Sequence, residues 1–457
     1  MEPMESERGM TMGNRGWLER LREYEAPNVT FVDADGGWPI VWVSARGEWV
    51  WDVEGRRYVD LTAGFGVAMA GHRSPALVRA IRAQLRSLLH GMGDVHPHVG
   101  KVELLEQLSR ITFERWTGQG GGRRLRGRAV LGCTGFEAVE IALKTAQRAT
   151  GRPWVVAFEG GYHGLGYGAL NVTHRELFWR PFESQLRRFG CFAPFPGREE
   201  DLGRVERCLS RLQRRRAIGA VLVEPVQGRG GIRVPPASFL PWLRAWCDRH
   251  GALLILDEIF TGFGRTGRWF ACEHFGVVPD VICLGKALTG GFPLSACVGR
   301  SDVMESAWPP SAGEALHTST FQGHPVGCRM ALEQIRELER RDLAGRAAGM
   351  GAWLMERLRG LRPAPGLEYE VRGLGLMVGL EVRRSDGGPA TAVVLDALKR
   401  MLVRGFLLLP EGADANVVAF TPPLTVSRAG LERAVRALGE CLDEAARATT
   451  RERPDHA

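Results

Sequence analysis

The sequence predicts an α/β protein with a mostly parallel sheet covered by helices, together with a smaller α+β domain. Between residues 129 and 299, short apolar runs alternate with stretches of helical spacing. Runs that are apolar at every position are typical of strands buried on both faces, as in parallel sheets. The runs are AVLGC (129–133), WVVAF (154–158), IGAVLVEP (218–225), ALLILDE (252–258), DVICLG (280–285) and SACVG (295–299).

The pattern before and after this region divides the chain into three parts. GEWVWDVEGRRYVDL alternates apolar and polar residues around a Gly-containing turn, which predicts a β-hairpin. After about residue 330, long helical stretches are separated by VRGLGLMVGLEV, FLLLP and NVVAF. We therefore expect an amino-terminal segment (1–62) that packs with the small domain, a large domain (63–332) and a carboxyl-terminal small α+β domain (333–457).

Composition excludes several classes of protein. Hydrophobic residues make up 44% of the 457 residues and charged residues 25%, as in ordinary globular chains. No apolar run approaches the roughly 18 residues of a membrane helix, so no membrane role is expected. The net charge is +8, but acids are interspersed with the arginines, so we expect no nucleic-acid partner. Nine scattered cysteines and no visible export signal predict a cytoplasmic protein with reduced thiols.

Lysine chemistry has only four candidates, because four of the 60 basic Lys and Arg residues are lysines. Lys286 directly follows an apolar strand, a position that removes an amine from water and lowers its pKa. A nucleophilic lysine requires this setting. Lys144 follows Glu140 by four residues and predicts a helix-surface ion pair. Lys101 and Lys399 also fall on predicted helix surfaces.

Other residues at strand ends complete a candidate site, because ligands of open α/β sheets bind there. Thr134-Gly135-Phe136-Glu137 begins a helix with a capping box, and Gly135 leaves backbone N–H groups open to an anion. Tyr162 lies in a Gly-rich loop, and Asp257 ends a wholly apolar strand, where a carboxylate needs a partner. An arginine or a protonated ring nitrogen would serve. Together with Lys286, these features match the needs of pyridoxal phosphate (PLP).

Residues 262–267 match the G-x-G-x-x-G pattern of dinucleotide-binding loops. That loop must join a strand directly to a helix. Here Ile259-Phe260-Thr261 intervene after the strand and an aromatic stretch follows, so we do not assign a nicotinamide or flavin site.

From Gly47 to Leu431, the sequence resembles the class III (omega-type) aminotransferases, which are fold-type I PLP enzymes. The resemblance implies a large domain with a seven-stranded sheet and a homodimer, or a tetramer built from it. It rests on motifs in family order and spacing, namely WDVEGRRYVDLTAG, CTGFEAVEIALKTA, FEGGYHG, EPVQGRGG, LLILDEIFTGFGRTG, LGKALTGGFPLSA and STFQGHPVGC.

The resemblance also implies roles for individual residues. Lys286 would bind the cofactor as a Schiff base and move the proton, and Asp257 would hold the pyridinium proton. Ile259 and Tyr162 would pack on opposite faces of the ring. The remaining cofactor residues would be Gly135 and Phe136 at the phosphate, Glu224 in EPVQGRGG, and Thr320, which would reach the phosphate of the partner subunit.

Four positions depart from the family pattern. Phe136 replaces a Thr or Ser, so only its main chain is available to the phosphate, and Phe260 replaces a Gln near the ring hydroxyl. Arg229 replaces a Glu that normally pairs with an arginine, and Ala419 replaces that arginine, which normally binds the substrate carboxylate. The paired change predicts altered specificity, with Arg229 as a candidate substrate residue. Arg229 either binds an anionic group of the substrate, or turns to solvent or pairs with a local acid. In both cases we expect amines or ω-amino compounds to be better donors than ordinary α-amino acids.

Transamination from an amine or amino acid to an oxo acceptor is the leading interpretation. A racemase, epimerase or aminomutase would share the same cofactor residues, so the motifs do not exclude one. A non-catalytic binding protein is the third alternative, against which the intact Lys286 and Asp257 argue.

Overall fold

The computed structural model describes residues 12–34, 37–118 and 125–451. Its centre is a seven-stranded sheet in the order β4-β10-β9-β8-β7-β5-β6. The strands are β4 (Gly127–Gly132), β5 (Trp154–Phe158), β6 (Gly190–Ala193), β7 (Ile218–Val223), β8 (Leu253–Asp257), β9 (Val281–Leu284) and β10 (Ser295–Arg300). The predicted apolar runs therefore form strands of a single sheet.

Strand direction in this sheet is mostly parallel, as the sequence predicts. β6, β5, β7, β8 and β9 pair in parallel, whereas β10 runs antiparallel to both β9 and β4. Every residue of β7 and of β9 is buried, which explains why these strands read as continuous apolar runs. Sequence reasoning missed β6, an edge strand of four residues, three of which are only partly buried.

Helices cover both faces of the sheet. Those of the amino-terminal and central regions are α1 (Asn14–Tyr24), α2 (Pro75–Leu85), α3 (Val99–Ser109), α4 (Gly135–Thr150), α5 (Leu202–Arg215), α6 (Phe239–His250), α7 (Ser301–Ala307) and α8 (Pro325–Arg340). In α5, Val205 and Leu209 are buried and the arginines lie on the outer side, as expected for an amphipathic surface helix.

The amino-terminal strands join a strand from the carboxyl-terminal part of the chain. β1 (Trp42–Arg46), β2 (Trp49–Asp52) and β3 (Arg57–Asp60) form an antiparallel meander. β3 then pairs in parallel with β13 (Phe406–Leu407). The predicted hairpin is present, and its second strand, β3, pairs with a strand of the carboxyl-terminal region. The domain boundaries at 62 and 332 stay a prediction.

A third sheet lies in the carboxyl-terminal region, in the order β11-β12-β15-β14. It consists of β11 (Leu367–Leu374), β12 (Met377–Arg384), β14 (Leu409–Glu411) and β15 (Val417–Phe420), all paired antiparallel. Helices α9 (Leu343–Arg359), α10 (Thr391–Val403) and α11 (Arg428–Arg451) pack with it. Within the described ranges, no helix is long and apolar enough to cross a membrane.

Candidate active site

Most of the predicted site residues lie near the carboxyl ends of the central strands. Asp257 is the last residue of β8, and Lys286 follows β9, the strand next to it. A Cβ atom at Gly285 would lie 3.3 Å from Ile259 and 3.7 Å from the Cα atom of Gly135. The start of α4 therefore lies beside the lysine, where ligands of open α/β sheets bind.

Lys286 has the environment of a reactive amine. Its backbone adopts φ +40°, a left-handed conformation that is rare for residues other than glycine. The residue as a whole is only partly buried. Its amine, however, is surrounded by protein atoms, and this burial lowers the pKa of Lys286. The acids Asp257, Glu224 and Glu411 oppose that shift without cancelling it. Its Nζ atom lies 4.6 Å from the centre of the Phe260 ring.

The other three lysines are engaged elsewhere. Lys101 donates a hydrogen bond to the Gly93 carbonyl, and Lys399 pairs with Asp33. The predicted pair of Lys144 with Glu140 is wrong. Lys144 Nζ instead lies 3.0 Å from His317 Nδ1, because Glu140 accepts hydrogen bonds from the N–H groups at residues 168 and 169.

Asp257 has a histidine partner that sequence reasoning missed. His163 Nδ1 lies 2.8 Å from Asp257 Oδ2, and both side chains are buried. The Ile259 N–H donates to the other carboxylate oxygen at 3.1 Å, and Thr173 Oγ1 accepts from the His163 N–H at 3.0 Å. The histidine lies directly after Tyr162 in the FEGGYHG motif, so its position in that motif was the available signal.

Glu224 anchors two loops of the site. One carboxylate oxygen accepts from the Tyr162 N–H at 2.9 Å, and the other accepts from the Gly228 N–H at 3.0 Å. Complete burial raises the pKa of Glu224 to about 7, with a smaller contribution in the same direction from Asp257. The side chain thus fixes the Tyr162 loop relative to the loop that carries Arg229.

The start of α4 offers free donors. The capping glutamate, Glu137, accepts from the Thr134 N–H at 3.2 Å, as predicted. The N–H groups of Gly135 and Phe136 have no acceptor within the described part of the chain. A Cβ atom at Gly135 would lie 3.2 Å from Ile259, so the helix start and Ile259 are in close contact. The positive end of a 16-residue helix favours an anion here.

Arg229 lies near an acid, Glu411. Its guanidinium carbon is 5.1 Å from the centre of the Tyr162 ring, and its Nε atom is 3.9 Å from Glu411 Oε2. The backbone of the two loops is joined by a hydrogen bond from the Gly412 N–H to the Arg229 carbonyl. Ala419 is buried on β15 and carries no charge. Sequence reasoning did not find Glu411, because this residue lies outside the motifs that resemble those of the family.

Two further predicted features lie apart from this cluster. Thr320 is exposed in the loop before α8 and has no hydrogen bond to the site within the described residues. The 262–267 loop forms turns rather than a strand-to-helix junction. Its Arg265 is buried and donates to the carbonyls of Leu376 and Pro422. The loop therefore connects two regions of the chain instead of forming a dinucleotide site.

Comparison with known proteins agrees with this arrangement. Residues 30–442 match the family model of class III aminotransferases. The chain belongs to the class III aminotransferases. It is 36% identical over 421 residues to a 5-aminovalerate aminotransferase of Pseudomonas aeruginosa, covering 89% of this chain and 94% of that protein. It is 35% identical to a putrescine aminotransferase of Pectobacterium atrosepticum, covering 94% and 88% of the two chains.

A solved structure shares the architecture of this class III aminotransferase. An amine transaminase from an uncultivated Pseudomonas species, in the PLP-bound (internal aldimine) form, superposes with a TM-score of 0.81. It is 30% identical, and the match covers 93% of this chain and 99% of that one. The fold is thus that of the PLP transaminases, and the protein is a PLP-dependent transaminase.

Proposed function

We propose that Lys286 and Asp257 are the catalytic residues of this transaminase. The observation that supports this most strongly is the buried Lys286 amine, whose pKa is lowered by burial, beside the end of the strand that carries Asp257. A deprotonated amine is the form that attacks a carbonyl carbon and accepts a proton. Burial also lowers the pKa of Lys101, but that amine donates a hydrogen bond to the Gly93 carbonyl. Lys144 and Lys399 contact His317 and Asp33.

The residues present fit PLP. The unpaired N–H groups of Gly135 and Phe136 would hold its phosphate, and the buried Asp257 carboxylate would face its ring nitrogen. Ile259 and Tyr162 would enclose the two ring faces. When bound, PLP supplies an electron sink that stabilises negative charge on the substrate carbon. Glu224 would contribute indirectly, by holding the Tyr162 loop in place.

The protein's own groups would then carry the proton and control orientation. Lys286 Nζ would take the proton from the donor carbon that bears the amine, and in the second half-reaction it would deliver a proton to the acceptor carbon. His163 would hold the Asp257 carboxylate in a fixed orientation through the 2.8 Å contact. Phe260, packed beside Lys286, would exclude water from the amine.

Arg229 is proposed to bind the carboxylate of the oxo acceptor. Its side chain is 46% exposed, and its contact with Glu411 is too long for a hydrogen bond, so the guanidinium is available. Arginine binds carboxylates in a bidentate fashion. The expected acceptor is therefore an oxo acid.

We also propose that the enzyme works as a homodimer, or a tetramer built from it, in the cytoplasm. Exposed apolar side chains are concentrated near the start of α3 and form a surface that another copy would cover. They are Leu85, Leu88, Leu89, Met92, Val95, Val99 and Val102. The exposure of Thr320 supports its role in the partner's site. Nine free cysteines support a reducing compartment.

The experiment that tests the function follows the absorption spectrum of the purified holoenzyme after an amine donor is added. Transamination predicts a lasting spectral change without an acceptor and recovery of the original spectrum when an oxo acid is supplied. A racemase, epimerase or aminomutase would turn over without any oxo acid. Turnover that is independent of an acceptor would therefore contradict the proposal.

A further inference from the structure

Glu411 is a largely buried acid with unused hydrogen-bonding capacity. Its side chain is only 15% exposed, and its carboxylate accepts no hydrogen bond within the described part of the chain. The nearest cation is Arg229, at 3.9 Å, which is beyond hydrogen-bond distance. Buried carboxylates are normally hydrogen-bonded, because leaving one without donors costs free energy. The carboxylate therefore has acceptor capacity that the described part of the protein does not use.

The charged groups around Glu411 place it at the catalytic end of the molecule. Arg229, Lys286 and Arg175 lower the pKa of Glu411, against a larger upward shift from burial. Glu411 is in turn one of the three acids whose negative charge raises the pKa of Lys286. The acid and the catalytic amine are therefore within electrostatic reach of each other.

An apolar cavity lies on the same side of β14 as Glu411. Leu409 is two residues earlier and therefore on the same face of the strand. It lines a cavity of about 150 Å³ whose walls include Trp38, Ile40, Trp42 and Phe65. Gly66 follows Phe65, and a Cβ atom there would lie 2.5 Å from the Phe260 ring, which packs over Lys286. The cavity therefore lies close both to Phe260, beside the catalytic amine, and to the strand that carries the acid.

We propose that Glu411 binds the second ammonium group of a diamine donor, an inference that rests on the transaminase function proposed above. The first amine would react at Lys286, the methylene chain would contact the apolar walls, and the distal ammonium would donate to the Glu411 carboxylate. In the overall reaction, the reacting CH₂–NH₂ group is oxidised to an aldehyde and loses its nitrogen. The oxo acid is reduced to an amino acid as it accepts that nitrogen.

Arg229 does not prevent this binding. It is half-exposed, and its guanidinium lies 5.1 Å from the Tyr162 ring and 5.7 Å from the Phe178 ring, so aromatic contacts hold it without Glu411. Donor and acceptor occupy the site in separate half-reactions. Glu411 would therefore bind the cationic donor, and Arg229 the anionic acceptor.

The test compares 1,4-diaminobutane with butylamine, which has the same number of carbons but lacks the distal charge. Each amine is added to the holoenzyme, and the rate of spectral change is measured as a function of concentration. A charge-assisted hydrogen bond predicts at least tenfold higher efficiency for the diamine. Glu411→Gln should remove that preference, lowering the efficiency for the diamine at least tenfold more than the efficiency for butylamine. Glu411→Asp keeps the negative charge and should therefore retain part of the preference for the diamine.

Glu368→Gln is the matched control, since it removes an exposed acid of the carboxyl-terminal region and should leave the preference unchanged. A second measurement avoids turnover. Calorimetry should show that 1,4-diaminobutane binds Lys286→Ala protein at least tenfold more tightly than it binds the Lys286→Ala, Glu411→Gln double variant.

Equal efficiency for the two amines in the wild type, or equal losses for both in Glu411→Gln, would overturn the inference about Glu411 alone. Absence of a spectral change with every amine tested would instead overturn the transaminase function on which it rests.

Discussion

Lys286 combines a left-handed backbone, a buried amine and a position after β9. Lys286→Ala should keep the fold and lose at least about a thousandfold in turnover, because it removes both nucleophile and base. Steady-state rates and thermal unfolding midpoints check this. Lys144→Ala is the control, and turnover in Lys286→Ala close to that of the control would contradict the assignment.

Burial of the Lys286 charge should also be visible in stability. Its pKa is lowered in the folded protein from 10.5, so below pH 10.5 the unfolded chain binds more protons at this site. The free energy of unfolding of the cofactor-free protein should therefore rise as pH increases toward 10.5. Lys286→Met should lack this rise and be more stable at neutral pH by about 1 kcal/mol or more. Urea unfolding across this pH range measures both effects. If the free energy of unfolding of Lys286→Met rose with pH as much as that of the wild type, the rise would not come from Lys286.

His163 is expected to act through Asp257. His163→Ala should lower turnover roughly 10- to 100-fold, because the carboxylate loses the partner that fixes its orientation. His163→Gln, which keeps an N–H donor, should recover part of the loss. The pH dependence of the cofactor's absorption separates this from a purely structural effect. An unchanged pH profile in His163→Ala would show that the histidine only supports packing.

Elements determine where these side chains meet. The apolar runs between 129 and 299 predicted the central strands, because burial on both faces leaves a clear pattern. The edge strand Gly190–Ala193 was missed because it is only four residues long and three of them are only partly buried. Likewise, sequence motifs predicted Lys286 and its neighbours as residues of the candidate site, but they did not predict Glu411. That acid reaches the site only because β14 pairs with β15, a contact between strands that local sequence does not encode.

At the start of α4, a Cβ atom at Gly135 would lie 3.2 Å from Ile259, so a larger side chain there would force one of the two residues to move. Gly135→Val should lower the affinity for PLP at least tenfold, because it displaces the N–H groups proposed to bind the phosphate. Fluorescence titration of the cofactor-free protein measures this. Gly349→Ala is the control, since a Cβ atom there meets nothing within 4 Å, and it should instead stabilise the protein by about 0.5–1 kcal/mol. An unchanged affinity for PLP in Gly135→Val would show that the phosphate does not bind at the start of α4.

At the scale of the whole molecule, each site is expected to need two chains. Light scattering should give a mass of at least two chains at assay concentrations. Lys286→Ala and Thr320→Ala should each be weakly active at limiting PLP. A refolded mixture should regain activity, because one site of the heterodimer then has both wild-type groups. Failure to complement, with both variants well folded, would contradict a shared site.

The central claim is that one of only four lysines in the chain forms the bond to PLP. Borohydride reduction of the holoenzyme followed by peptide mapping tests it most directly, because reduction makes that bond permanent. The account predicts the pyridoxyl group on Lys286 alone. A label on Lys101, Lys144 or Lys399 would contradict it.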